Sequence, residues 1–248
     1  MTQAKSAFFG RIPNFIGIGA IVLAGISLCL STWKMFEFHA RLAALENPQW
    51  EHTLAEQHLY ARPIVLFGDS QIANWPVSTS FGALPVLNRG VGGDWAVKAS
   101  ARFKQAVIPL NPSMVVILIG TNDLAHQQPV ELVLSSIREM VSSAREHGAI
   151  VIICSVLPTR GEAARARPKD QLQQLNSNLQ KLAAEQEASY SDLYSALADE
   201  RGELPPAFSE DGLHLNSAGY LRVTSVLLPQ LLQHYVTDGG APATNSRQ

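Results

Sequence analysis

Between residues 61 and 236 short apolar runs alternate with longer segments of helical period, and this alternation constrains the fold more tightly than any other feature of the chain. The runs are PIVLFGD, PVLNRGV, MVVILIG and AIVIICSVLP, followed by a weaker ASYSDLY. Segments 64–67, 114–119 and 150–154 are apolar on successive residues rather than on every second one, the pattern of strands covered on both faces. Segments 95–107, 130–147 and 169–187 read as helices, Gly148 stands where a helix would stop, and 217–235 closes the domain. Strand and helix in regular succession imply an α/β fold with a parallel sheet wrapped on both faces. Ligands of such sheets bind beyond the carboxyl ends of the strands, so chemistry is expected in the loops that follow them.

A chain of 248 residues accommodates one such domain and an appendage. Only 16% of residues are charged and the net charge is −2, so the electrostatic footprint of a nucleic-acid binder is missing. Cys29 and Cys154 form neither a CxxC nor a metal-ligand spacing. Residues 12–33 carry no charge and would span about 33 Å as a helix, which matches a bilayer core. No small-x-small site follows this run, and Leu28 precedes Cys29 where a lipoprotein signal calls for a small residue. An uncleaved transmembrane anchor is therefore expected, with a cleaved signal peptide and, after it, a buried soluble helix as the alternatives. A short tail, 1–11, precedes it; a juxtamembrane helix and connector, 34–60, follow; residues 237–248 read as a disordered tail. Lys5 and Arg11 balance Lys34 and Arg41, and the α-amino group tips the count. The expected arrangement is a single pass through the inner (cytoplasmic) membrane with the domain on the periplasmic or extracellular side.

Four strand-end segments carry candidate chemistry. The first strand runs into Gly68-Asp69-Ser70, which presents a hydroxyl at the sheet edge, although such a tripeptide also serves as a turn and helix cap. The second runs into NRGVGGDW, where backbone N–H groups can approach a ligand; a tight turn needing positive φ would also explain the glycines. This run lacks the spacing of GxGxxG and the Lys-Ser/Thr of a phosphate-binding loop. The third ends in Gly120-Thr121-Asn122-Asp123, offering a neutral amide donor that could instead be an Asx-turn or cap. Just before the last helix, Asp211-Gly212-Leu213-His214 sets a carboxylate three residues from an imidazole, close enough to fix its tautomer.

In this order the four segments resemble the SGNH (GDSL-type) hydrolases, whose GDS, glycine turn, GTND and DxxH motifs are matched across residues 61–236. The resemblance implies a flavodoxin-like three-layer α/β/α sandwich and a serine esterase. It carries Ser70 over as nucleophile, His214 and Asp211 as the rest of the triad, and Ser70, Gly93 and Asn122 as oxyanion donors. The chain departs from the family pattern at Trp95, where a small hydroxyl residue is usual. Trp95, Trp75 and His126 are candidate pocket residues, although a core position under the loops is the favoured reading for each tryptophan. The scheme requires no metal or organic cofactor. The expected substrate is an ester, either short acyl or O-acetyl groups on envelope glycans or the acyl chains of lipids. An acyltransferase acting on a sugar hydroxyl and a non-catalytic tethered binding module are the rival classes. The basic segment TRGEAARAR, residues 159–167, could be a lid, a contact for anionic headgroups or polysaccharide, or a mobile solvated loop.

Overall fold

The computed structural model describes residues 62–237. Strands form where the apolar runs lie: β1 (Ile64–Gly68), β2 (Val86–Gly90), β3 (Met114–Leu118), β4 (Ile150–Cys154) and a short β5 (Ser189–Ser191). They pair in parallel in the order β2-β1-β3-β4-β5, the order of flavodoxin-like sheets. The helices are α1 (Ser70–Ala73), α2 (Val77–Ser80), α3 (Ala96–Ala106), α4 (Thr121–Ala125), α5 (Val130–Glu146), α6 (Glu162–Ala166), α7 (Lys169–Glu185), α8 (Leu193–Leu197) and α9 (Ser217–Thr237).

The unbroken apolar character of β1, β3 and β4 follows from two cores, one on each face. Val65, Phe67, Val115, Ile117, Val151 and Ile153 point into the core shared with α3, α5 and α7. Their neighbours Ile64, Leu66, Met114, Val116, Ile152 and Cys154 point into the core shared with α1, α8 and α9. Because side chains alternate along a strand, only a strand buried on both sides needs every residue apolar. On α9, Tyr220, Val223, Leu227 and Leu231 recur at three- and four-residue spacing and form the buried stripe.

The long elements lie within two residues of the ranges read from the sequence. The one-turn helices α1, α2, α4, α6 and α8 were not anticipated, because four or five residues are too few to show a period. Among the described residues no helix is long and apolar enough to cross a membrane. The expected anchor at 12–33, the connector at 34–60 and nearly all of the tail lie outside the described residues, and α9 continues through Thr237, the first residue assigned to that tail.

At the carboxyl edge the strand ends are drawn together. Gly68 closes β1 so near β3 that a Cβ there would stand 1.9 Å from the Leu118 carbonyl oxygen, which only glycine avoids. Beside it Arg102, on α3, is almost wholly enclosed. Its Nε donates to Asp94 Oδ2 at 2.7 Å, Nη1 to the Arg89 carbonyl and Nη2 to the Gly68 carbonyl, each at 3.0 Å. The guanidinium also lies over the Phe67 ring, 4.1 Å from its centroid. Replacing Arg102 by Met should destabilise the chain by about 3–5 kcal/mol, because the Asp94 carboxylate would remain buried without its counter-charge. Urea unfolding measures this; a loss below about 1 kcal/mol would show that water reaches Asp94.

Candidate active site

Ser70 is the first residue of α1, and Asp69 is the cap that places it there. The Asp69 carboxylate is buried and accepts the Gln71 N–H at 2.9 Å. The serine hydroxyl emerges at the sheet edge with Oγ 3.1 Å from His214 Nε2. On the other side of the ring, His214 Nδ1 lies 2.7 Å from Asp211 Oδ2. Asp211 Oδ1 accepts the backbone N–H groups of Leu213 and His214 at 2.8 and 2.7 Å. One carboxylate thus shapes the turn and orients the ring. With Nδ1–H donated to Asp211, Nε2 is free to accept the serine proton.

Asn122, the second residue of α4, makes no cap bond for its helix. Its Nδ2 donates to the Asp94 carbonyl at 2.8 Å, which uses one of its two hydrogens. The cap and Asx readings of Asn122-Asp123 are therefore not realised locally. Asp123 instead reaches across and accepts the Ala96 N–H, 3.0 and 3.1 Å from its two oxygens, pinning the start of α3. Gly93 lies in a turn closed by Asp94 N–H to the Val91 carbonyl at 3.2 Å, and its φ of +74° is one that side-chain-bearing residues rarely adopt. The turn thus has the conformational demand that explains its glycine, and it also stands beside Asn122.

Trp95 and His126 meet edge to face, ring centroids 4.9 Å apart, and the Lys98 ammonium lies 5.0 Å from the indole centroid. His126 Nδ1 donates to the Asn122 carbonyl at 2.7 Å, so the pair flanks the residues just described. Trp75 does not join them, which corrects its reading as a pocket wall. It is 3% exposed, its indole N–H donates to Thr224 Oγ1 at 3.1 Å, and it packs against Phe81 and Tyr220 beneath α9.

Several supporting residues escaped the sequence reading. Gln71, directly after the serine, is buried; its Nε2 donates to the Leu213 carbonyl at 2.7 Å and ties α1 to the histidine loop. Tyr220 donates to the Gln71 carbonyl at 2.9 Å from α9. Arg160 clamps the same loop, its backbone N–H reaching the Gly212 carbonyl at 2.9 Å and its side chain the carbonyls of Leu204 and Ser209 at 3.0 and 3.1 Å. The only local signal was the basic character of 159–167, which fitted a solvated loop equally well. In that segment Arg160 and Arg167 turn inward, and Arg165 pairs with Glu162 on the surface.

The carboxylates divide by environment. Burial pushes Asp69 up to about 7, with the Gln71 N–H opposing and the charges of Asp123 and Asp94 adding. Burial likewise pushes Asp123 up to about 7 against the Ala96 N–H, and raises Asp94 against the pull of Arg102. For Asp211 burial is the largest single effect and acts upward, but the hydrogen bonds from the His214 ring and from the Leu213 and His214 backbone together outweigh it and hold the carboxyl well below the usual range. Asp211 therefore stays ionised opposite the imidazole.

The model of the GDSL-like lipase/acylhydrolase family matches residues 66–222. The chain belongs to that family. It is an SGNH-type ester hydrolase, and the sheet order agrees with that assignment. Among solved structures, this GDSL-family chain is similar to a GDSL-like lipase from Bacteroides thetaiotaomicron, at 24% identity and a TM-score of 0.66, over 75% of this chain and 98% of that one. It is also similar to a lipase/acylhydrolase from Enterococcus faecalis (23%, TM-score 0.60, 68% and 95% covered). A third likeness is to a variant of an acetyl xylan esterase from Geobacillus stearothermophilus (19%, TM-score 0.57, 69% and 95% covered). At these identities the likeness is one of fold. No curated protein matches the chain.

The raised carboxyl values bear on stability. Asp69 and Asp123 hold a proton more tightly in the folded chain than in the unfolded one, so their contribution is greatest at acid pH and is lost as pH rises towards about 7. Asp69→Asn keeps the acceptor without the charge. Its melting temperature relative to the parent should climb between about pH 4 and 7. Differential scanning fluorimetry across that range tests this, and a pH-independent difference would mean that Asp69 titrates normally.

Proposed function

We propose that this GDSL-family hydrolase cleaves carboxylic esters through an acyl-enzyme formed on Ser70. The observation that carries the reading is the relay from Ser70 Oγ to His214 Nε2 at 3.1 Å and from His214 Nδ1 to Asp211 Oδ2 at 2.7 Å. Ser70 Oγ attacks the ester carbonyl as His214 Nε2 takes its proton, and Asp211, kept ionised, stabilises the imidazolium. The negative charge that develops on the carbonyl oxygen is received by the backbone N–H groups of Ser70 and Gly93 and by the second Nδ2 hydrogen of Asn122. His214 returns the proton to the departing alcohol. It then activates a water that attacks the acyl carbon and releases the carboxylic acid and free Ser70.

Hydrolysis is favoured over acyl transfer to a sugar hydroxyl, because the His214 and Asp211 side chains are 40% and 55% exposed and water reaches the base freely. The intact relay also argues against a purely binding role. We assign the acyl group as short. The reading is supported by the Trp95 and His126 rings, packed edge to face beside the glycine turn and Asn122, and by an acetyl xylan esterase among the structures of like fold. O-acetyl groups on envelope glycans are then the preferred substrates over lipid acyl chains. The uncharged segment 12–33 supports tethering to the inner membrane with the domain outside, which a reporter fused to the C-terminus and active only in the cytoplasm would refute.

Ser70→Ala should abolish labelling by a fluorophosphonate probe; persistent labelling would remove Ser70 from its role. Asn122→Ala should lower kcat by roughly a hundred- to a thousand-fold, the usual cost of one oxyanion donor, while leaving the melting temperature close to that of the parent. Hydrolysis of p-nitrophenyl acetate should exceed that of long-chain p-nitrophenyl esters, and Trp95→Ala should narrow the gap. A parent preference for long chains would refute the short-acyl assignment.

A further inference from the structure

We infer that Arg167 is a positioning residue of the reaction, acting through Asn122 to aim and polarise the amide that receives the oxyanion. The inference rests on Asn122 being an oxyanion donor, as proposed above.

Arg167 closes α6 in the loop that follows β4, and it is 8% exposed. Its Nε donates to the Thr121 carbonyl at 2.9 Å, and its Nη2 reaches Asn122 Oδ1 in a longer contact of 3.4 Å. Nη1 returns to the Ala163 carbonyl, also at 3.4 Å, which secures the guanidinium to its own helix. Burial lowers the Arg167 pKa, and the Asp69 charge opposes that shift.

Asn122 is consequently held at both ends by groups from different loops. Oδ1 faces a guanidinium donor, and Nδ2 faces the Asp94 carbonyl at 2.8 Å. Rotating the amide by half a turn would set Nδ2 against the guanidinium and Oδ1 against the Asp94 carbonyl, two repulsive pairings. Only one orientation survives, and it leaves one Nδ2 hydrogen for the substrate. The cation at Oδ1 also draws electron density through the amide and strengthens the remaining N–H as a donor, by the polarisation that chains of hydrogen bonds share. Both effects count most when negative charge develops on the substrate oxygen, so they belong to kcat more than to KM. Since Arg160 of the same loop grips the histidine turn, the segment after β4 braces the base and the oxyanion amide together.

The test is a double-mutant cycle on the full chain with p-nitrophenyl acetate, using Arg167→Ala, Asn122→Ala and the pair. Arg167→Ala should lower kcat about tenfold with KM little changed, the size expected when a donor is misaimed rather than removed. In the Asn122→Ala background the same change should have almost no further effect on kcat, since its target is gone. Arg167→Lys, which keeps the charge near Oδ1, should recover part of the loss. Where truncation to Ala unfolds the chain, Arg167→Gln fills the position with an uncharged donor and enters the same cycle. Equal losses in both backgrounds would mean a general structural role and overturn the inference, as would parent-like kcat in the single variant. Parent-like kcat for Asn122→Ala would overturn the oxyanion assignment itself, and the role of Arg167 with it.

Discussion

The structure depends on one buried cation. At the carboxyl edge of β1 and β2 the carbonyls of Gly68 and Arg89 both meet the guanidinium of Arg102, and the Gly68 carbonyl also accepts the Val91 N–H at 3.0 Å. The third face of that guanidinium binds Asp94, so the glycine turn after β2 is joined to the edge from which Ser70 emerges. An apolar residue could fill the volume but could not satisfy two carbonyls and a carboxylate together. A lysine would offer three donors on a flexible stem without the fixed planar fork that matches three separate acceptors. The same ion therefore ties the strand exit that bears Ser70 to the glycine turn after β2.

Around that ion the acidic residues of the motifs separate into three that are buried and one that faces the His214 imidazole. Asp69 caps α1, Asp94 neutralises Arg102, and Asp123 holds the first N–H of α3; all three are buried, and burial raises the pKa of each. Asp211, the fourth, is largely exposed and heavily hydrogen-bonded, and its pKa falls instead. A carboxylate that must stay charged opposite a histidine is placed where water and N–H groups support the charge. Carboxylates that only position backbone are placed where protonation is tolerable. Three of the four motif acids of this chain thus hold backbone or a buried cation and one faces a histidine, although each looks the same in a one-letter string.

The loop after β4 shows how composition misleads. Three arginines among small residues read naturally as a solvated or surface-seeking segment. Two of them instead carry their charge inward to backbone carbonyls and an amide oxygen of the segments that bear His214 and Asn122. Trp75 misleads in the opposite way, being near the serine in sequence and yet turned under α9 by its bond to Thr224. Contacts across 45 residues in one case and 149 in the other decide these orientations, and no local pattern encodes them.

The sequence by itself determined the layered α/β architecture, because unbroken apolar strands separated by amphipathic helices have few other ways to bury themselves. It also determined the identity of the relay, since a histidine three residues from an aspartate and a serine at a strand exit are local chemistry. Tertiary structure alone decided which side chains hold those groups in place. Arg102, Gln71, Arg160 and Arg167 act on partners distant in the chain, and a guanidinium or amide acquires a role only when folding brings carbonyls from separate segments within its reach.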